Sequence, residues 1–169
     1  MPEGPIVCNA GPLIALAMVG HLDLLAELYR RVLVPEAVFR EVTGSGVGRI
    51  GAAEVAAAGW LEHVSGDLPV EPLLAKELGP GESEVIAAAH HLGARLVLID
   101  ERRARLIAEQ AYGLRVKGSA GILVAAKRAG FIPAVLPLLE RMRTQGYHLS
   151  QRLIDRAGLE AGEERSPVS

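Results

Sequence analysis

Aromatic side chains are scarce in this chain, with two phenylalanines, one tryptophan and three tyrosines among 169 residues. Trp60 and Tyr147 are too few and too scattered to build a platform on which nucleobases could stack. Cysteine is scarcer still. Cys8 is the single example, which excludes an intrachain disulfide and argues against a cysteine-based zinc centre; lying inside the first apolar run, it is expected to pack in the core. No apolar stretch approaches the roughly 20 residues that cross a bilayer, and the first residues lack the basic segment and apolar core of a secretion signal. The chain is therefore expected to be soluble and cytoplasmic. Internal repeats and low-complexity tracts are missing as well. One domain over residues 1–162 accounts for the length, and 163–169 are expected to form a disordered tail.

Half of the residues are apolar, enough for a substantial core, and the formal net charge of −2 conceals a segregation along the chain. Residues 1–100 carry 13 acidic and 6 basic side chains, whereas 101–156 carry 4 acidic and 11 basic. Fifteen of the 18 basic residues are arginine, the side chain that grips phosphate in a bidentate fork and lies flat on bases. The same pattern also suits ordinary solvated helix faces.

Short aliphatic runs alternate with longer helical patterns. Strands are expected at 6–9, 32–34, 61–64, 95–99 and 114–116. Helices are expected at 13–19, 21–29, 36–42, 50–58, 71–78, 82–91, 102–112, 119–128, 134–145 and 150–161. Pro12 near a first turn, Gly93 after a last one and Ser150 as an N-cap mark three of the ends. The glycine cluster in 43–48 reads as a mobile loop; it trails a helix instead of joining a strand to one, so it is a poor phosphate cradle. This alternation argues for an α/β fold whose parallel sheet is covered on both faces.

In such sheets ligands bind beyond the carboxyl ends of the strands. The run Leu96-Val97-Leu98-Ile99 stops at Asp100, and if strands 6–9 and 95–99 are neighbours, Asn9 and Asp100 emerge at one edge. Helix starts near Glu82 and Glu84 could face them. Carboxylates a few Å apart repel by about 4 kcal/mol per pair at an effective dielectric near 20, so they gather only where a cation or a shared proton compensates. Mg²⁺ or Mn²⁺ is the natural choice, because hard cations take oxygen ligands.

Five segments carry a resemblance to a known family. They are Ile-Val-Cys-Asn-Ala-Gly-Pro-Leu-Ile-Ala-Leu-Ala at 6–17, Val-Pro-Glu-Ala-Val-Phe-Arg-Glu-Val at 34–42 and Leu-Gly-Pro-Gly-Glu-Ser-Glu-Val-Ile-Ala-Ala-Ala at 78–89. Leu-Val-Leu-Ile-Asp-Glu-Arg-Arg-Ala-Arg at 96–105 and Lys-Gly-Ser-Ala-Gly-Ile-Leu at 117–123 complete the set. In order and spacing the chain resembles the PIN-domain proteins, specifically the DUF3368-type group, over about residues 5–160. The resemblance implies a three-layer α/β/α sandwich with a mainly parallel sheet, and a nuclease that uses Mg²⁺ or Mn²⁺ to hydrolyse single-stranded RNA. It implies catalytic and metal-holding roles for Glu41, Glu82 and Asp100, with Asn9 and Glu84 as further ligands and Ser119 as an accompanying hydroxyl. Many relatives are toxins of toxin–antitoxin pairs, which implies a small antitoxin partner and a homodimer.

The first acidic position of active relatives is Asn9 here, an amide that can touch a metal but brings no charge. That departure keeps a second reading open, a catalytically inactive PIN-like module that binds nucleic acid or protein. Arg102, Arg103 and Arg105, just past Asp100, are candidates for holding phosphates of a bound strand. Each site residue also has a plainer role available. Asn9, Asp100 and Ser119 could cap helices, Glu82 and Glu84 could favour a helix dipole, and Glu41 could be an exposed helical residue. His90 and His91 point about 100° apart on a helix and cannot grip one metal together.

Overall fold

The computed structural model describes residues 3–44 and 49–163. Five parallel strands form one sheet in the order β3-β2-β1-β4-β5. They are β1 (Ile6–Cys8), β2 (Val32–Pro35), β3 (Leu61–Val64), β4 (Leu96–Leu98) and β5 (Val116–Lys117). Among the described residues ten helices connect and cover them: α1 (Ala10–Met18), α2 (Leu24–Leu28), α3 (Glu36–Thr43), α4 (Ala52–Ala57), α5 (Pro72–Glu77), α6 (Pro80–Leu92), α7 (Arg102–Tyr112), α8 (Ser119–Arg128), α9 (Leu136–Thr144) and α10 (Gln151–Glu160). The result is a three-layer α/β/α arrangement. No helix among the described residues is long and apolar enough to cross a membrane.

The central strands are apolar at successive positions because helices cover both faces of the sheet. Every residue of β1 and β2 is buried, and Cys8 is completely so. Helix α6 packs on β1, β2 and β4, while α8 meets α1, α2 and α10. Val85, Ile86, Ala88 and Ala89 of α6, with Ile122 and Leu123 of α8, join the strands in one continuous core. Gly93 ends α6 with φ of 62°, a left-handed turn that costs glycine little.

Several boundaries differ from expectation for identifiable reasons. The second helix starts at Leu24 and not His21, because the N–H groups of Leu24 and Leu25 reach back only three residues, to His21 and Leu22. The last strand is shifted to 116–117, since Leu114 N–H is taken by Ala108 O at the end of α7. Helix α6 begins two residues early with Pro80 in its first turn, where the missing N–H costs nothing. Of the expected loop over 43–48, Thr43 closes α3 and 45–48 lie outside the described residues.

Glu163, assigned by sequence to a disordered tail, is instead held firmly. Its carboxylate accepts the Val135 and Leu136 N–H groups at 2.7 and 3.0 Å and pairs with Lys127 at 3.0 Å. Burial opposes its charge, but those three partners outweigh the penalty and hold its pKa below the ordinary range. Residues 164–169 lie outside the described residues.

Candidate functional site

The register pairs Cys8 with Leu98, and Asn9 N–H donates to Leu98 O at 2.9 Å. Asn9 and Asp100 therefore leave adjacent strands at the same edge. The chain runs from β1 to β2 on one side and returns through α6 to β4 on the other. Such a reversal of strand order opens a crevice at the carboxyl ends. Here the crevice is a cleft of about 1100 Å³ bordered by Asn9, Glu41, Glu82, Asp100 and Arg102. Four of the expected acidic-site positions thus share one cavity.

Asn9 stands at the N-cap of α1 with extended φ and ψ of −85° and 171°, yet its side chain makes no capping bond. The residue is only 6% exposed. Opposite it lies Gly81, in the first turn of α6. A Cβ at Gly81 would lie 2.9 Å from Glu41 Oε2 and 3.7 Å from Asn9 Oδ1. The missing side chain leaves a small space on which an amide oxygen and a carboxylate oxygen converge. Glu82, the next residue, accepts the Gly79 N–H at 3.0 Å through Oε2, the first-turn role its position offers, while still bordering the cleft. Burial, and then the Glu82 charge, push Glu41 above its ordinary pKa of 4.5, with Arg49 opposing.

Asp100 is fastened on two sides. Its Oδ1 accepts Ser119 N–H at 2.6 Å and its Oδ2 accepts the Ser119 hydroxyl at 2.5 Å. The Tyr147 hydroxyl donates to that same Oδ2. The cap of α7 is Glu101, which accepts the Arg103 and Ala104 N–H groups, so Asp100 serves the start of α8 and not the helix it precedes. A Cβ at Gly118 would lie 2.7 Å from Asp100 Oδ1 and 2.6 Å from an Arg105 Nη; glycine is what lets the carboxylate approach this backbone. Burial and then the Asp100 charge raise the pKa of Tyr147 strongly, keeping it protonated and a donor.

Two expected site residues stand apart. Glu84 points away from the cleft, and its Oε2 accepts Ala37 N–H at 2.8 Å, serving the first turn of α3. Arg103 forms an ion pair with Glu77. Arg102 borders the cleft, and Arg105 borders a neighbouring groove. Sequence reasoning passed over Tyr147, because a solitary aromatic carries no periodic signal, and over Gly81 and Gly118, whose value lies in what they leave empty. The available hint for Tyr147 was its place in Gly-Tyr-His-Leu-Ser, directly before the Ser150 cap.

A family model described as a PIN domain, DUF3368, matches residues 5–163. The chain belongs to this PIN-domain family. No curated protein and no solved structure matches it. PIN domains have a nuclease-like fold, are generally nucleases, and typically use divalent metal ions such as Mg²⁺. The cleft suits such an ion in donor chemistry, since Asn9, Glu41, Glu82 and Asp100 offer only oxygen ligands. Among the described residues no three Asp, Glu, His or Cys side chains stand close enough to hold one ion together. A cation here would be held by one or two carboxylates with water completing its shell, a mode Mg²⁺ favours.

Proposed function

We propose that this PIN domain is an endoribonuclease that hydrolyses single-stranded RNA with the help of Mg²⁺ or Mn²⁺. The observation that carries this reading is the convergence of Glu41 Oε2 and Asn9 Oδ1 over Gly81, inside a cleft that Glu82 and Asp100 also border. Asp100 and Glu41 would hold the ion, with Asn9 and Glu82 as neighbouring oxygen donors. When bound, a divalent ion lowers the pKa of water and offsets charge on phosphoryl oxygens.

The chain's own residues supply orientation and proton handling. Ser119 and Tyr147 fix the plane of the Asp100 carboxylate. Arg102, at the cleft margin, receives a phosphate of the strand. Water forms the new bond to phosphorus and gives a proton to Glu82, the cleft carboxylate that does not hold the ion, while the bond from phosphorus to the leaving ribose oxygen breaks and that oxygen takes a proton from solvent.

The test is incubation of the purified chain with an end-labelled, mixed-sequence single-stranded RNA. Cleavage should need Mg²⁺ or Mn²⁺, stop with EDTA and fall by about 100-fold or more in Asp100→Asn. Cleavage that ignores both changes would overturn the reading. Asn9 favours one rival, a PIN-like module that binds without cutting; retention of intact RNA under every metal condition would support it.

A further inference from the structure

A second groove, of about 630 Å³, begins on the other side of Asp100 and runs between α7, the edge strand β5 and α10. It shares Asp100, Arg102, His148, Ser150 and Leu153 with the cleft, so the two cavities adjoin. Residues far apart in sequence build its charged walls. Arg105 comes from α7, Lys117 from β5, and Arg152 and Arg156 from α10. The acids facing it are Asp100, Glu109 and Glu160, and Glu160 pairs with Arg156 at 3.3 Å.

Arg102, Arg105 and Lys117 make no ion pair with any described residue. Lys117 is the most telling of them. Its stem lies across Gly121, where a Cβ would come within 2.7 Å of Lys117 Cγ. Burial, and then the charges of Arg115, Arg128 and Arg95, make its ammonium less favourable than in water. Those three arginines lie outside the groove lining, where Lys117 stands with Arg105, Arg152 and Arg156 as a charge that an entering anion can offset. Between the charged walls run Leu106, Val116 and Leu153, an apolar strip that unstacked bases can cover and that a duplex, with its bases turned inward, cannot.

We infer that this groove is a binding track for single-stranded RNA, holding the nucleotides that flank the one in the cleft. The inference rests on the nuclease reading of that cleft. Arg105, Lys117 and Arg152 take successive phosphates, and His148 sits at the junction where the strand turns toward Asp100. With no array of side-chain amides along the walls, affinity comes from charge and from apolar contact, so binding tolerates many sequences.

The test is fluorescence anisotropy of a labelled mixed-sequence single-stranded RNA in EDTA, titrated with the whole chain at several salt concentrations. Arg152→Glu, on the exposed face of α10, should weaken binding about fivefold to tenfold and flatten the log–log salt dependence by about 0.7 per lost phosphate contact. Lys117→Gln should act in the same direction, with its melting temperature checked because its stem is packed. Arg141→Glu makes the same charge change on α9, outside the groove, and should cost much less. Equal losses for Arg141→Glu and Arg152→Glu would overturn the track in favour of diffuse attraction. Displacement of RNA by poly-glutamate at equal charge concentration would overturn it in favour of an acidic protein ligand. The two readings fail separately: Asp100→Asn removes one of the acids facing the groove and should bind RNA at least as tightly as the parent, while full cleavage by that variant would sink the Asp100-centred nuclease assignment and leave the track intact.

Discussion

The Tyr147 hydroxyl donates to the Asp100 carboxylate that Ser119 already engages through both its N–H and its hydroxyl. Three donors on one carboxylate hold it still and occupy lone pairs that a cation would otherwise use. Tyr147→Phe removes one donor with little change of shape. Mn²⁺ affinity, followed by calorimetry or by the free-ion electron paramagnetic resonance signal, should rise about threefold to tenfold. Stability should fall by about 1.5–3 kcal/mol, as for other hydrogen bonds to charged groups. Unchanged or weaker Mn²⁺ binding would mean that the phenol does not compete with the ion.

Asn9→Asp adds the missing charge beside Glu41. In EDTA the variant should melt below the parent, because two carboxylates then face one space. Adding Mg²⁺ should raise its melting temperature more than it raises that of the parent, reporting affinity about tenfold tighter. Equal Mg²⁺ responses in the two proteins would remove Asn9 from the set of ligands.

Glu84 separates packing from chemistry. Because its carboxylate accepts Ala37 N–H at the start of α3, Glu84→Ala should cost about 1 kcal/mol of stability in urea unfolding, the usual cost of a lost helix-end acceptor. Divalent affinity should stay at the parental value. A large loss of affinity in a folded Glu84→Ala protein would return this residue to the site.

The raised pKa of Glu41 makes a signed prediction for pH dependence. The native state holds this proton more tightly than the unfolded chain, whose value is near 4.5. Stability from this group is therefore complete below pH 4.5 and is lost as pH climbs through the raised native value. Glu41→Gln should abolish that decline. In thermal melts between pH 4 and 8 without divalent ions, the variant should gain relative to the parent as pH rises. A constant difference across the range would show that Glu41 titrates normally.

Much of the architecture was legible because each strand is a short aliphatic run closed by a punctuating residue. The run ending at Asp100 and the run ending at Asn9 indicated which edge of the sheet would matter, and the register of β1 on β4 agrees. Local pattern could not say where a carboxylate points. Glu82 and Glu84 sit two residues apart near the start of the same helix, yet one borders the cleft and the other serves α3, a choice made by the packing of α3 on α6. Arg103 and Arg105 diverge for a similar reason, since alternate positions on α7 face different neighbours. The basic groove was hidden more deeply, because its walls come from 102–117 and from 148–156 and meet only once α10 packs on α8.

The position of Cys8 makes the molecule its own reporter. The lone sulfur lies completely buried under the cleft, one residue before Asn9, and burial followed by the nearby Asp100 charge suppresses its thiolate. Alkylating reagents can reach it only while the central strands separate, so the labelling rate measures that opening without an introduced probe. A cation or an RNA strand that engages the rim above it should slow the labelling, giving a readout of occupancy independent of any bond being cut.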